Sequence, residues 1–213
     1  MKNTLISKIK MADYIKKEIK KFLKNRNARL LTIKYDMKTL NSAKQWYRLR
    51  NPLHMLWTAF IVEICRKLPP CEFKNNLYRM IGVKIGKDVT ISPDVVIDWL
   101  FPELITIEDG VLIGADMFIV THEFIIDRIR IGRIRIGKQA MLATWVVNDP
   151  GVNIGERSIV GMLSYLREDV PPYSFVAGIP AKVVKMLDKK EYLAARKKRG
   201  PLTHIEMYNT KKE

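Results

Sequence analysis

An all-β solenoid with α-helical flanks is the fold class that this sequence predicts, and three observations predict it. Branched apolar residues recur every six positions: Ile85, Ile91 and Ile97, then Ile107, Ile113 and Ile119, then Ile136, Leu142, Ile154 and Val160, with Asn148 standing where another aliphatic is due. Glycine follows Ile85, Ile113, Ile136 and Ile154. Where the ladder is interrupted, it resumes in step. Neither the period of two of an ordinary strand nor the 3.6 of a helix accounts for this spacing, which is a short internal repeat. Each hexapeptide makes one flat side of a coil, and three sides close a triangle of about 18 residues whose edges pair with the next coil at strand spacing. The ladder residue points inward, and Gly or Asp turns the corners. A set of ordinary hairpins that happens to keep step is the competing reading, and the number of agreeing repeats opposes it.

The 213 residues, 47% apolar and 28% charged, suffice for a sizeable core. Three regions follow from pattern and charge: a basic helical N-terminal region (1–74), the β-helix (75–184), and a basic C-terminal helix and tail (185–213). The net charge of +16 is uneven. Residues 1–84 carry 20 Lys+Arg against 5 Asp+Glu, residues 85–184 carry 9 against 13, and the last 29 carry 9 against 4. The solenoid is mildly acidic and its flanks are basic.

From Leu5 to about Lys24, apolar residues at helical spacing (Leu5, Ile9, Ile15, Ile19, Phe22, Leu23) alternate with seven lysines, which predicts a basic amphipathic helix. Such a helix either attaches to anionic lipid or another polyanion, or packs on its own protein with a solvated basic face. Nucleic acid is disfavoured as a partner, because no helix-turn-helix, zinc or RNA-binding signature accompanies the charge. After Asn51-Pro52, the apolar run Leu53–Cys65 predicts a helix too short to span a bilayer, hence buried or interfacial. A short helix from Asn75 to Ile81 leads into the first rung. Cys65 and Cys71 have no metal-ligand spacing and read as free thiols in a reducing compartment. The N-terminus lacks a secretory cleavage pattern, so a cytoplasmic location is expected, with peripheral contact at the inner membrane surface as the basic helix suggests.

Two insertions interrupt the ladder. Asp98-Trp99-Leu100-Phe101-Pro102-Glu103 is expected to bulge from a corner and project side chains. Between Ile119 and Ile136, Thr121-His122-Glu123-Phe124 precedes Arg128, Arg130, Arg133 and Arg135 alternating with isoleucines, which predicts a strand with one basic face and secondarily an anion-binding rim. After Val160 the rungs give way to a turn at Asp169-Val170-Pro171-Pro172, and a basic helix is expected from Leu187 to Arg199.

The ordered combination of the ladder, Thr121-His122, Pro150-Gly151-Val152-Asn153-Ile154-Gly155, Asp169-Val170-Pro171-Pro172 and Ala177-Gly178-Ile179-Pro180-Ala181-Lys182 resembles the left-handed β-helix acyltransferases of the maltose, galactoside and xenobiotic O-acetyltransferase type. The resemblance covers about residues 75–187. It implies the left-handed form of the β-helix, against the usual right-handedness of parallel crossovers. It also implies a homotrimer with sites between solenoids, acetyl-CoA or another acyl-CoA as donor, and no metal. His122 matches the family's catalytic histidine, a base with a side-chain pKa near neutrality that would take the acceptor hydroxyl's proton. The other reading of His122, as of any lone histidine, is structural. Glu123 is the neighbouring carboxylate that would orient it, although adjacent side chains on a strand point oppositely. Asp98 resembles an acceptor-side acidic residue and Trp99 a surface for stacking a sugar, or they are a corner and an interfacial residue. Arg167 and Lys182 fall where the family's basic residues approach the CoA phosphates, or are surface charge.

In the family, small residues on two rungs let the pantetheine arm lie against the backbone, and here Ala143 and Gly161 keep those places. Trp145, Met162 and Leu163 put bulk beside them. The function expected is therefore an acyl-CoA-dependent O-acetyltransferase acting on a sugar or glycan precursor. The alternative is a non-catalytic trimeric scaffold that binds anionic surfaces through its basic flanks. A zinc carbonic anhydrase on the same fold would need three histidines on adjacent rungs, and only His122 lies in the solenoid.

Overall fold

The computed structural model describes residues 14–34, 43, 46–47 and 49–190. Strands and helices are numbered along the chain. The solenoid has three parallel faces. The first stacks β2 (Lys84–Ile85), β5 (Ile105–Ile107), β10 (Ile134–Ile136) and β13 (Asn153–Ile154). The second stacks β3 (Thr90–Ile91), β6 (Leu112–Ile113), β11 (Met141–Leu142), β14 (Ile159–Val160) and β16 (Ser174–Gly178), and closes with antiparallel β17 (Ala181–Met186). The third stacks β4 (Val96–Ile97), β7 (Phe118–Ile119), β12 (Val147–Asn148) and β15 (Tyr165–Leu166).

The sixfold ladder is the register of these faces. Ile85, Ile107, Ile136 and Ile154 are successive partners on the first, and Ile91, Ile113, Leu142, Val160 and Val176 on the second. Ile97 and Ile119 pair on the third. All but Ile85 are buried in one continuous core. Branched aliphatic side chains of similar size on nearly every rung fill a narrow interior, which is why the period survives both insertions.

Corners are turned by residues in the left-handed region, among them Asp88, Asp94, Asp116, Gln139, Trp145 and Leu163. Rungs also stack so tightly at the corners that glycine is required in places. A Cβ added to Gly114 would lie 2.7 Å from the Ala143 carbonyl carbon, and one on Gly161 would lie 2.9 Å from the Ala177 Cβ.

The helices close one end and one side. α2 (Pro52–Lys67) and α3 (Glu72–Met80) cover the first coil, with Ile61, Val62, Cys65 and Tyr78 continuing the solenoid core. Asn51 caps α2, its side chain accepting from the Leu53 amide, and Pro52 occupies the first turn where no amide is needed. α1 (residues 14–24) packs Ile15, Ile19 and Phe22 into a second core with Leu49, Met55, Leu100, Phe101, Leu104, Ile129 and Ile131.

Several expectations change here. The insertion after Asp98 does not project: Leu100, Phe101 and Leu104 are buried, because three large apolar side chains in five residues have a second core to enter. The apolar face of α1 is likewise taken up by the protein, and its lysines and Tyr14 remain outward. The arginine series is not a free anion-binding rim. Arg128 pairs with Asp127, Arg130 with Glu123 and Arg135 with Glu108. Arg133 donates to the carbonyls of Ala28, Phe22, Leu23 and Asn25 and lies over the Phe22 ring, so it caps the C-terminal end of α1.

The N-terminal region also contributes a strand, β1 (Leu30–Lys34). The C-terminal β17 runs two residues past 184. The first residues of the predicted basic helix, Leu5 and Ile9 included, and most of the expected helix from Leu187 to Arg199 lie outside the described residues. Among the described residues, no helix is long and apolar enough to cross a membrane.

Candidate active site

The second insertion folds into a hairpin, β8 (His122–Ile125) and β9 (Arg128–Gly132), to which β1 adds antiparallel as a third strand. Alternation of Ile129 and Ile131 with Arg128 and Arg130 sends the isoleucines into the second core and the arginines out. His122 is the first residue of β8, where the chain leaves the third face of the solenoid.

That departure would leave a gap in the ladder, and Asn148 fills it. It occupies the place where an aliphatic was due and is buried. Its Nδ2 donates to the carbonyls of Val120 (2.9 Å) and Asp149 (3.0 Å), and its Oδ1 accepts from the Val120 amide (3.3 Å). A side-chain amide thus substitutes for the rung partner that Val120 lacks.

Asp98 sits one coil below the hairpin, at the end of β4. Its side chain is 2% exposed, and every approach to it is by a donor. Oδ2 accepts from the Thr121 amide (2.8 Å), the Thr121 hydroxyl (2.6 Å), the His122 amide (3.1 Å) and His122 Nδ1 (2.6 Å), and Oδ1 accepts from the Leu100 amide (2.8 Å). Burial pushes this carboxyl up, but the His122 charge and the hydrogen bonds from His122, Thr121 and Leu100 together outweigh it, and the net direction is down. An ionised carboxylate only accepts, so His122 Nδ1 carries a proton, and in the neutral form of the ring it is Nε2 that holds the lone pair. The edges of Phe101 and Phe124 flank the imidazole at 6.3 and 5.1 Å between ring centroids, and its side chain stays 20% exposed.

Glu123 is turned away from this pair. It accepts from Arg130 at 3.0 Å across the hairpin, as strand geometry dictates for the residue beside His122. Trp99 is half-buried between the two cores, and its carbonyl accepts from Thr58, so its ring is packed rather than presented. Asp98, expected on the acceptor side, spends both oxygens inside the protein. Ala143 and Gly161 come together: the Ala143 amide donates to the Val160 carbonyl, and Gly161 stands beneath Ala177, whose partner on β17 is Lys182. The stacking of rungs alone demands the glycine at 161. Trp145, Met162 and Leu163 are all more than half exposed. Arg167 is exposed, 4.0 Å from Asp149, and Lys182 is 3.6 Å from Glu168. Among the described residues, no group of three His, Cys, Asp or Glu is placed to hold a metal ion.

No family model matches the chain. Over 154 residues it is 30% identical to YvoF of Bacillus subtilis (strain 168), assigned as an acetyltransferase, covering 72% of this chain and 90% of that protein. The chain belongs to the hexapeptide-repeat acetyltransferase family. SAS0727 of Staphylococcus aureus (strain MSSA476), with the same assignment, is 30% identical over 142 residues, 66% of this chain and 88% of its own. Among solved structures, the hexapeptide-repeat acetyltransferase VCA0836 of Vibrio cholerae covers 72% of this chain and 98% of its own at 20% identity, with a TM-score of 0.55. A galactoside acetyltransferase in complex with coenzyme A covers 74% and 90% at 20% identity, with a TM-score of 0.52. These likenesses establish the fold, a left-handed β-helix.

Proposed function

We propose that this hexapeptide-repeat protein transfers an acetyl group from acetyl-CoA to a hydroxyl of a sugar or glycan precursor, with His122 as general base. The observation that carries the reading is the Asp98–His122 pair, a buried carboxylate fixing the tautomer of a partly exposed imidazole. A surface histidine needs no such partner, and burying an anion is costly unless it does something. His122 Nε2 takes the acceptor proton while the acceptor oxygen attacks the thioester carbonyl, and Asp98 stabilises the imidazolium. As the tetrahedral intermediate collapses, the C–S bond breaks and Nε2 returns the proton to the sulfur, so that CoA leaves as the thiol and the acceptor as its acetyl ester. Asp98 is the positioning residue in this scheme, the part first expected of Glu123.

Relatives support the donor: VCA0836 has been crystallised with acetyl-CoA, and the galactoside enzyme with CoA. In this chain Ala143 and Gly161 line the second corner, with Lys182 above them and Arg167 on the same end of the solenoid, suited to the phosphates of CoA. That column stands at the corner between the second and third faces, whereas His122 stands past the far end of the third face. A homotrimer resolves the separation, by placing the column of one copy against the imidazole of the next. The outward row Leu112, Met141, Ile159 and Phe175, in register on the second face, supplies an apolar surface for such a contact.

The test is calorimetric titration with acetyl-CoA, followed by mass-spectrometric detection of acetyl transfer to a panel of sugars. Binding of about one donor per chain and acetylation of at least one sugar are expected. No donor binding would leave the scaffold reading in its place.

A further inference from the structure

α2 is half used. Met55, Thr58, Ile61, Val62 and Cys65 face the protein, and the opposite face carries Leu53 (75% exposed), Leu56 (67%), Trp57 (46%), Phe60 (58%) and Ile64 (38%). At 100° per residue these five fall within one stripe about 100° wide that runs over three turns, roughly 16 Å along the helix. Trp57 and Phe60 lie side by side, with ring centroids 6.3 Å apart. Glu63, at the margin, is paired with Arg66. Among the described residues nothing covers this ridge. Solitary exposed apolar residues need no explanation, but a contiguous row of five large ones does.

Its surroundings say what covers it. At the N-terminal end of α2, Asn51 and His54 share a cleft of about 300 Å3 with Lys16, Lys20 and Arg50. The outward face of α1 adds Lys17, Lys24 and Lys21, the last paired with Glu18, and the C-terminal end of α2 carries Lys67, paired with Asp94. An apolar, aromatic-bearing ridge rimmed by lysines fits an anionic bilayer surface, where side chains of the ridge enter the acyl boundary and the lysines meet phosphate. A second copy of the chain fits less well, because joining two ridges would bring two sets of lysines together.

We infer that the α2 ridge, with the lysines of α1, docks the protein on an anionic phospholipid surface, α2 lying in the plane of the interface. With 16 residues it is too short to cross. Of the readings open for the two N-terminal segments, α1 gives its apolar face to the protein and keeps the charge outward, and α2 keeps an apolar face for lipid. This docking does not depend on the acetyltransferase reading.

The experiment is co-sedimentation of the full chain with vesicles of phosphatidylcholine alone or mixed with phosphatidylglycerol. It compares wild type with Trp57→Glu/Phe60→Glu and with Lys16→Glu/Lys20→Glu, all checked for unchanged thermal unfolding. Wild type binds the mixed vesicles, less so at high salt, and each double variant binds at least about tenfold more weakly. Brominated acyl chains quench wild-type tryptophan emission, and Trp57→Phe loses most of that quenching. Equal binding by Trp57→Glu/Phe60→Glu overturns the proposal, as does indifference of wild type to both vesicles. A change of oligomeric state in that variant with vesicle binding intact also overturns it, and assigns the ridge to a contact between copies.

Discussion

Asp98 Oδ2 lies 2.6 Å from His122 Nδ1, although 24 residues separate the two in sequence. One coil of the solenoid brings them together, because the residue after Ile97 stands directly below the segment after Ile119. The carboxylate that touches the imidazole is therefore supplied by the rung below, and the adjacent Glu123 faces Arg130.

Three substitutions separate these roles. His122→Ala is expected to lower turnover by about 10²–10⁴-fold, and also to cost stability, because it takes the imidazole partner from the buried Asp98 carboxylate. Glu123→Gln should leave turnover within about fivefold, since it removes only a partly exposed ion pair. Asp98→Asn should lower both activity and stability, the latter by about 1–3 kcal/mol, because its amide would turn donor hydrogens toward groups that are themselves donors. Steady-state kinetics alongside urea unfolding distinguish the three.

Asp98 also sets an acid limit. Its pKa is held below that of the unfolded chain, so its contribution to stability is complete above the ordinary aspartate value of about 3.9 and disappears as pH falls through the lower folded value. The stability gap between wild type and Asp98→Asn should narrow as pH falls below about 4, as read by urea unfolding across the acid range.

Asn148→Leu would restore an unbroken apolar ladder, yet it is expected to destabilise the protein by about 1–3 kcal/mol. It strands the amide and carbonyl of Val120, two residues before His122. Denaturant unfolding measures the loss, and activity should fall with it.

The two thiols should differ sharply. Cys65 is fully buried, and burial pushes its thiol up to about 11, whereas Cys71 is exposed. A thiol reagent at neutral pH should label Cys71 in the native protein and reach Cys65 only after unfolding. Mass spectrometry of the labelled peptides reads the outcome.

The solenoid was legible because a β-helix asks the same thing of every coil, an aliphatic every sixth residue. His122 was legible because Thr121-His122, in a departure from that pattern, resembles the family's motif. Asp98 reads from the sequence as an acceptor-side residue and not as the partner of His122, since it acts vertically, between rungs, and adjacency along the chain pointed to Glu123. Writing the rungs under one another would have placed Asp98 beneath Val120, next to Thr121 and His122. The inward packing of Leu100, Phe101 and Leu104 had a signal in their size, but the core they enter is made by α1, α2 and the hairpin, which no local period announces. β1 is the extreme case, a five-residue strand whose partners lie about a hundred residues away.

The central claim, that a base fixed by Asp98 activates the acceptor for attack on acetyl-CoA, is tested most directly by CoA release in the presence of an acetylated sugar acceptor, comparing wild type with His122→Ala. The account predicts release by wild type and a fall of about 10²–10⁴-fold in the variant, with acetyl-CoA affinity unchanged. Equal rates in the two proteins would contradict it.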